Sequence, residues 1–309
     1  MANQPEETSS AASRTIILTA AWVGTLAASW LPGIIWQELF GGDATSVLWV
    51  RVGSVMVLLV LSLVWKAIAP LTGYLLVLLA LMMGEFVLRP LIEFSRLWQQ
   101  FFGAGCGSWF MSSLGPQLLR LLMALLPWVV LVSIGLKRSD YFLVRGRLDA
   151  PAEPVRWLGM REPLSWTRFG TQSLVILAAL FLVLSLLTNR PSTADLVRAL
   201  PLLPVALLFA AMNSFNENFA YRASLLSQLL PAVGKQQGLL LTVVLFALGH
   251  FYGMPPGVLG LLLFGLLGWL LAKSMLETKG FLWAWLIQFA LDVLVFTFWA
   301  VGVVTTSGG

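Results

Sequence analysis

The sequence is poor in the residues that build disulfides, metal sites and charged surfaces. It contains one cysteine, Cys106, and one histidine, His250, among 309 residues. These counts exclude an internal disulfide and a zinc site made of several Cys and His ligands. Charged residues make up only 11% of the chain, whereas about a quarter is usual in soluble domains. A soluble globular domain is therefore excluded, and we expect no cofactor and no tightly bound zinc.

Apolar side chains are abundant instead. Hydrophobic residues make up 59% of the chain. Runs of roughly 18 or more apolar residues recur, and each is long enough to cross about 30 Å of hydrocarbon. The pattern predicts an all-α fold, a polytopic transmembrane helix bundle of about eight or nine spans. The nine candidate spans are 15–36, 46–68, 71–90, 117–136, 170–188, 199–230, 238–252, 257–273 and 281–302.

Basic residues predict the orientation. The longest polar loop, 137–168, carries Lys137, Arg138, Arg145, Arg147, Arg156, Arg161 and Arg168. The positive-inside rule places this loop in the cytoplasm, where we expect it to lie on the anionic inner leaflet. Alternating spans then give a multi-pass protein of the cell membrane, with its amino terminus cytoplasmic and its carboxyl terminus outside. The polar first residues start without basic side chains, which predicts a disordered cytoplasmic tail over 1–14 and an uncleaved first span.

Some charged residues have simple local interpretations. Glu85 and Arg89 are four residues apart and are predicted to form an ion pair on one helix. Arg51 and Arg120 lie near the starts of spans, and we expect both side chains to snorkel to the interface. The aromatic and Gly-rich segment 97–116 suits an interfacial position better than a crossing.

The stretch NSFNENFAYR, residues 213–222, interrupts an apolar run with Glu217, Asn218 and Arg222. A charge at mid-span costs roughly 2.5–3.5 kcal/mol, so such groups need partners, water or a function. The turn 231–237 separates this helix from the one that carries His250. At 1.5 Å per residue, Glu217 and His250 each lie about 18–20 Å from that turn, which predicts similar depth on antiparallel neighbours.

The last span adds two polar residues to the same layer. Gln288 and Asp292 lie roughly 10–17 Å into it. They are four residues apart, as are Phe246 and His250, and each pair should share a helix face. By the same rule Asn218 should share a face with Arg222. We therefore expect polar side chains from three helices at one level, open towards the cytoplasm.

A glutamate beside a histidine can activate water, and amide donors opposite can hold an oxyanion. Such a site suits peptide hydrolysis without a covalent nucleophile. Each group also has a simpler interpretation. Glu217 with Arg222 could cap a helix end, His250 could serve packing, and Gln288 with Asp292 could join helices.

Three motifs in this region resemble those of the CPBP family, the CAAX proteases and bacteriocin-processing (Abi) proteins. The family carries EExxxR, FxxxH and HxxxN or HxxxD on successive membrane helices. Here the chain reads ENFAYR at 217–222, FALGH at 246–250 and QFALD at 288–292. Order and internal spacing match. Asn218 stands in place of the second glutamate, and Gln288 in place of the third-motif histidine.

The resemblance implies an intramembrane endopeptidase of glutamate type. Glu217 and His250 would polarise the water, Gln288 and Asp292 would form the oxyanion site, and Arg222 would be structural. Asn218 and Phe246 would support these groups. Together with the polar tail, the apolar runs and the basic loop, this predicts a disordered cytoplasmic tail 1–14, N-terminal transmembrane helices 15–136, the basic cytoplasmic loop 137–169 and a CPBP-like transmembrane domain 170–309.

Function therefore has one leading interpretation and two alternatives. The leading one is a peptidase acting on a peptide or membrane-protein tail. Its other partner would be the lipid bilayer, and we expect no binding of nucleic acid. A catalytically degenerate relative could instead serve as a bacteriocin-immunity or scaffold protein. A solute transporter is less favoured, because the sequence lacks the inverted repeat and paired broken helices of many transporters.

Overall fold

Helices make up nearly all of the fold in the computed structural model, which describes residues 4–306. The α-helices are α1 Gln4–Ala28, α2 Leu31–Phe40, α3 Leu48–Val64, α4 Thr72–Met83, α5 Arg89–Glu93, α6 Arg96–Phe102, α7 Trp109–Ser133, α8 Trp166–Asn189, α9 Thr193–Ala199, α10 Leu203–Asn218, α11 Ser224–Leu248, α12 Gly257–Thr278 and α13 Leu282–Thr306. Two π-helices, Gly84–Leu88 and Phe219–Ala223, continue α4 and α10. Two-residue strands, β1 Pro151–Ala152 and β2 Leu164–Ser165, pair antiparallel within the basic loop.

Seven helical stretches in the described part are long and apolar enough to cross a membrane, or eight if one bent pair is a single span. The all-α polytopic fold is therefore confirmed. The longest stretch, Thr193–Leu248, has 56 residues, and at 1.5 Å per residue it would extend about 84 Å. It is interrupted at Gly234, whose φ of 79° and ψ of 173° are not helical. Only glycine adopts this conformation readily, which explains why the break lies at Gly234. The break falls within the turn predicted at 231–237.

Two helix starts and one bend differ from the sequence-based expectation. Residues 4–14 were predicted as a disordered tail, but α1 is helical from Gln4; residues 1–3 lie outside the described part. The first span is bent by 57° between α1 and α2, where Pro32 opens the second helix. The fourth span was predicted to begin at 117, yet α7 begins at Trp109, because Ser108 Oγ accepts a hydrogen bond from the amide of Met111 and caps the helix.

The chain divides into two compact units that do not follow its linear order. The first unit contains Met1–Leu91, Met123–Leu143 and Phe219–Lys273, and the second contains Ile92–Leu122, Val144–Asn218 and Ser274–Gly309. In the first unit, α1 packs against α3, α4 and α11. Gly24 allows close approach, because a Cβ there would lie only 3.2 Å from Leu75 Cδ2. Thr25 Oγ1 and the Tyr74 hydroxyl hydrogen-bond at 2.7 Å and join α1 to α4.

Arg51 does not snorkel as predicted. Its side chain is buried in the first unit, where Nη2 donates to the Ala28 carbonyl at 2.8 Å. Its guanidinium carbon lies 4.6 Å from the ring centroid of Phe86 and 5.5 Å from that of Trp30. The guanidinium therefore has two aromatic rings and the carbonyl at the end of α1 as partners inside the bundle. With these partners, the side chain need not extend to the membrane interface.

In the second unit, α8, α9 and α10 pack against α13. The basic loop is tied to the turn before α13, because the Arg147 amide donates to the Thr278 carbonyl at 2.7 Å and the Phe281 amide donates to the Val144 carbonyl at 2.8 Å. Gly146 and Gly280 meet backbone to backbone there. The loop and this turn therefore lie at the same end of the unit, as the predicted alternation of spans requires. That this end faces the cytoplasm stays a prediction.

Candidate functional site

A polar cluster lies between α10 and α13 in the second unit. We use the term for Asn213, Glu217, Asn218, Gln288 and Asp292. All but Glu217 are buried, and Glu217 is half-buried. Two apolar helices that pack closely thus place amide and carboxylate groups on their shared faces. Inside a membrane bundle such groups persist only when they satisfy one another or perform chemistry.

The Glu217 carboxylate is held at both oxygens. Oε1 accepts a hydrogen bond from Asn213 Nδ2 at 3.2 Å, and Oε2 accepts one from Gln288 Nε2 at 2.6 Å. The first donor is one turn earlier on α10, and the second comes from α13. Bonds from two helices fix the orientation of the carboxylate, whose two oxygens act as acceptors.

Asn218 and Gln288, the two departures from the family pattern, contact each other. Asn218 Nδ2 donates to Gln288 Oε1 at 2.9 Å and to the Ser214 carbonyl at 2.8 Å. Because Oε1 of Gln288 accepts from Asn218, its Nε2 is turned towards Glu217. The Asn218 side chain therefore sets which end of the Gln288 amide faces the carboxylate.

Sequence reasoning did not select two residues at this site, Asn213 within the cluster and Arg120 beside it. Asn213 Nδ2 also donates to Asp292 Oδ2 at 3.1 Å, and Arg120 Nη1 donates to Asn213 Oδ1 at 2.8 Å. Arg120 was expected to snorkel, but its position in the middle of α7 brings it to α10 instead. One signal was available, since a cation at mid-span usually has a partner inside the bundle. Asn213 lies one turn before Glu217, outside the motif.

The remaining predicted residues lie in the first unit. Arg222, fully buried on the π-helix, places its guanidinium carbon 3.8 Å from the ring centroid of Phe246. Phe246 in turn contacts His250, with ring centroids 4.4 Å apart. The imidazole also stacks on Phe264 at 4.0 Å. The FxxxH spacing thus forms one aromatic stack that carries the histidine.

His250 lies just beyond the end of α11 at Leu248 rather than inside a span. Its Nδ1 is 2.9 Å from the Phe246 carbonyl oxygen. A carbonyl only accepts, so we assign the proton of the neutral ring to Nδ1, which leaves the lone pair on Nε2. This tautomer is the one that a water-activating base requires, with Nε2 as its basic atom.

The first motif crosses a change of helix type. Asn218 and Arg222 were expected to share an α-helical face, and the π-helix Phe219–Ala223 begins directly after Asn218. A π-turn takes one residue more than an α-turn, and the shared face of these two side chains stays a prediction. The first motif therefore begins on an α-helix and ends on a π-helix.

The predicted residues thus fall into two groups. Glu217, Asn218, Gln288 and Asp292 lie in the second unit, and Arg222, Phe246 and His250 lie in the first. That Glu217 and His250 share one water stays a prediction. Among residues 4–306, no group of three or more His, Cys, Asp or Glu side chains is placed to hold a metal ion.

The apolar spans and the cluster within them define a multi-pass α-helical membrane protein with a buried acid-amide site. Residues 198–294, about a third of the chain, match the family model described as type II CAAX prenyl endopeptidase Rce1-like. The matched segment contains all three motifs, so its resemblance to the CAAX-protease family is confirmed. No curated protein and no solved structure matches the chain significantly.

Proposed function

We propose that the chain is an intramembrane endopeptidase that hydrolyses a peptide bond with a water activated by Glu217 and His250. One observation carries the proposal beyond the family match. The acid of the first motif is held by amides from two helices, at 3.2 and 2.6 Å, within the matched segment. A carboxylate fixed in this way is preorganised for proton transfer.

The proposed reaction divides the work among three groups. Glu217 takes a proton from the water whose oxygen bonds to the peptide carbonyl carbon, and Nε2 of His250 accepts a hydrogen bond from that same water. Gln288 donates one N–H to Glu217; we assign its second N–H to the carbonyl oxygen, which becomes an oxyanion. The C–N bond then breaks as the leaving amine takes up the proton from Glu217. Asp292 holds the Asn213 amide beside Glu217.

The substrate that we propose is a peptide or membrane-protein tail that enters from the cytoplasmic side. The reaction as written needs neither a metal nor a cofactor, since a carboxylate and an imidazole supply the acid–base chemistry. Nucleic acid has no part in it. The lipid bilayer is the other partner, because the outward side chains of the spans are apolar.

The test uses the full chain in nanodiscs with a peptide library and mass-spectrometric detection of products. Glu217→Gln and His250→Ala are compared with wild type. Glu85→Gln is the matched control, because Glu85 is also a carboxylate in a span but pairs with Arg89 on its own helix. We expect cleavage by wild type and the control, and none by the other two. Cleavage that survives both site substitutions contradicts the proposal.

The second candidate is a catalytically degenerate relative that acts as a bacteriocin-immunity or scaffold protein. Its specific support is the buried Asn218–Gln288 contact, in which two amides replace a glutamate and a histidine of the pattern. Such a pair can serve simply to join α10 and α13. This candidate predicts no cleavage by wild type, and full rescue of a deletion phenotype by both Glu217→Gln and His250→Ala.

A further inference from the structure

The Asn213 side chain hydrogen-bonds three charged residues, one through its oxygen and two through its nitrogen. Oδ1 accepts from Arg120, and Nδ2 donates to Glu217 and to Asp292. The orientation of the amide is not arbitrary. A guanidinium can only donate and a carboxylate can only accept, so oxygen must face Arg120 and nitrogen must face the two acids.

The arrangement brings two acids close together. The Glu217 and Asp292 oxygens lie 3.2 and 3.1 Å from the same nitrogen. Two negative charges so near each other in a poorly solvated bundle repel. An N–H directed at each oxygen opposes that repulsion.

Arg120 supplies the compensating charge through the Asn213 amide. Its guanidinium hydrogen-bonds the amide oxygen at 2.8 Å. A cation at that oxygen polarises the amide and strengthens both N–H donors, since hydrogen bonds in series reinforce one another at low dielectric. A mid-span arginine is costly, and this contact gives it a role at the site.

We propose that Arg120, acting through Asn213, is a positioning device that holds Glu217 and Asp292 in their working geometry. The inference rests on the proposed peptidase function. Neither residue belongs to the three motifs, and neither contacts the water or the peptide bond in the mechanism above. Both are therefore positioning residues rather than catalytic ones.

The test starts with Asn213→Leu, which keeps the size of the side chain and removes all three hydrogen bonds. Its matched control is Asn216→Leu, because Asn216 is also a buried asparagine of α10, and its Oδ1 has no hydrogen-bond partner among the described residues. A displaced catalytic group commonly costs about 100-fold in rate. We expect Asn213→Leu to lower kcat by about that factor with KM within about 3-fold, and Asn216→Leu to leave both unchanged.

The other end of the device gives a graded series. Arg120→Lys keeps a charge and a donor, Arg120→Gln keeps only a donor, and Arg120→Met keeps neither. We expect kcat to fall in that order. Gln117→Leu, a buried amide three residues earlier on α7, is the control. This series still tests the proposal if Asn213→Leu does not fold. Equal kcat for the lysine and methionine variants, with wild-type values, overturns it.

Infrared spectroscopy separates this inference from the proposed function. The carboxylate stretching bands of the two acids are assigned by difference from Glu217→Gln and Asp292→Asn. We expect these bands to shift in Asn213→Leu and Arg120→Met and to stay in place in both controls. If wild type cleaves nothing but the bands shift, the positioning device stands and the peptidase proposal fails. If wild type cleaves, and neither kcat nor the bands change in Asn213→Leu and Arg120→Met, the positioning role is overturned while the peptidase proposal stands.

Discussion

Asn218 donates a hydrogen bond to Gln288 at 2.9 Å, and these are the two positions at which the chain departs from the motifs that it resembles. The departures are therefore coupled. A glutamate and a histidine at these positions could also hydrogen-bond, with the imidazole donating to the carboxylate. The chain retains a contact between α10 and α13 but makes it from neutral groups.

This coupling predicts how reversions behave. In Asn218→Glu, an acceptor-only carboxylate meets Gln288 Oε1, so the Gln288 amide must turn over and lose its bond to Glu217. We expect a loss of about 1–3 kcal/mol in the free energy of unfolding and at least a tenfold drop in cleavage. Adding Gln288→His should restore much of both, because the imidazole donates to the new carboxylate. Thermal unfolding in detergent and the peptide assay measure these effects; a double variant no better than the single one contradicts the coupling.

Gly170 is predicted to be required for the packing of α8 on α13. A Cβ there would lie 2.6 Å from the Trp283 ring, so Gly170→Ala forces the helices apart. We expect a loss of about 1–3 kcal/mol in the free energy of unfolding. Gly302→Ala on the same α13 is the control, because nothing lies within 4 Å of its Cβ position. Unfolding midpoints that match for the two variants would refute the packing argument.

Gly234 is predicted to be required for the break between the two spans of the longest helical stretch. Its φ of 79° and ψ of 173° place it in a region that other residues enter at a cost of about 1–3 kcal/mol. Gly234→Ala should therefore lower the unfolding midpoint or the yield of folded protein. Gly265→Ala, where a Cβ meets only an ordinary contact at 3.5 Å, should not.

Arg51→Lys is predicted to behave as a non-conservative change. The arginine lies against the Trp30 and Phe86 rings while it donates to the Ala28 carbonyl. A lysine has no planar group that could stack on the rings, and its ammonium is more strongly hydrated than a guanidinium. We expect a loss of about 1–2 kcal/mol in the free energy of unfolding, with kcat unchanged. A lysine variant as stable as wild type would show that the rings contribute nothing.

Thiol labelling tests the predicted orientation. In a Cys106→Ser background, Ser139→Cys lies in the basic loop before α8, and Ala194→Cys lies just beyond the far end of that helix. Both positions are exposed. An impermeant maleimide should reach Ala194→Cys in intact cells and reach Ser139→Cys only after the cells are opened. The reverse pattern would invert the orientation.

The fold could be predicted from apolar run lengths because crossing about 30 Å imposes a minimum length whatever the side chains do. The break at Gly234 followed from its local sequence for a similar reason. The start of α7 did not, because the aromatic and Gly-rich segment 97–116 favoured an interfacial position, whereas in the structure Ser108 caps a helix within that segment. Local rules succeed where a single residue type determines the backbone.

The candidate site could be predicted only in part. Glu217, His250, Gln288 and Asp292 could be selected because the spacing of the motifs is readable from the sequence alone, and their roles stay predictions. The Arg120–Asn213 contact joins residues 93 positions apart, and no local pattern encodes it. Arg51 was misjudged for the same reason, since its aromatic partners lie on other segments. A mid-span arginine shows that a partner exists, but only packing shows which one.

The π-helix Phe219–Ala223 has a consequence for comparing this chain with others. Residues after it are rotated relative to those before it by the extra residue in the turn. Deleting one residue there would regularise the helix, yet it would turn Arg222 and the whole of α11 away from their present directions. The motif ENFAYR therefore fixes the order of its residues along the chain but not the relative directions of their side chains. Aligned sequences that differ by one residue in this segment would present their arginine to a different neighbour.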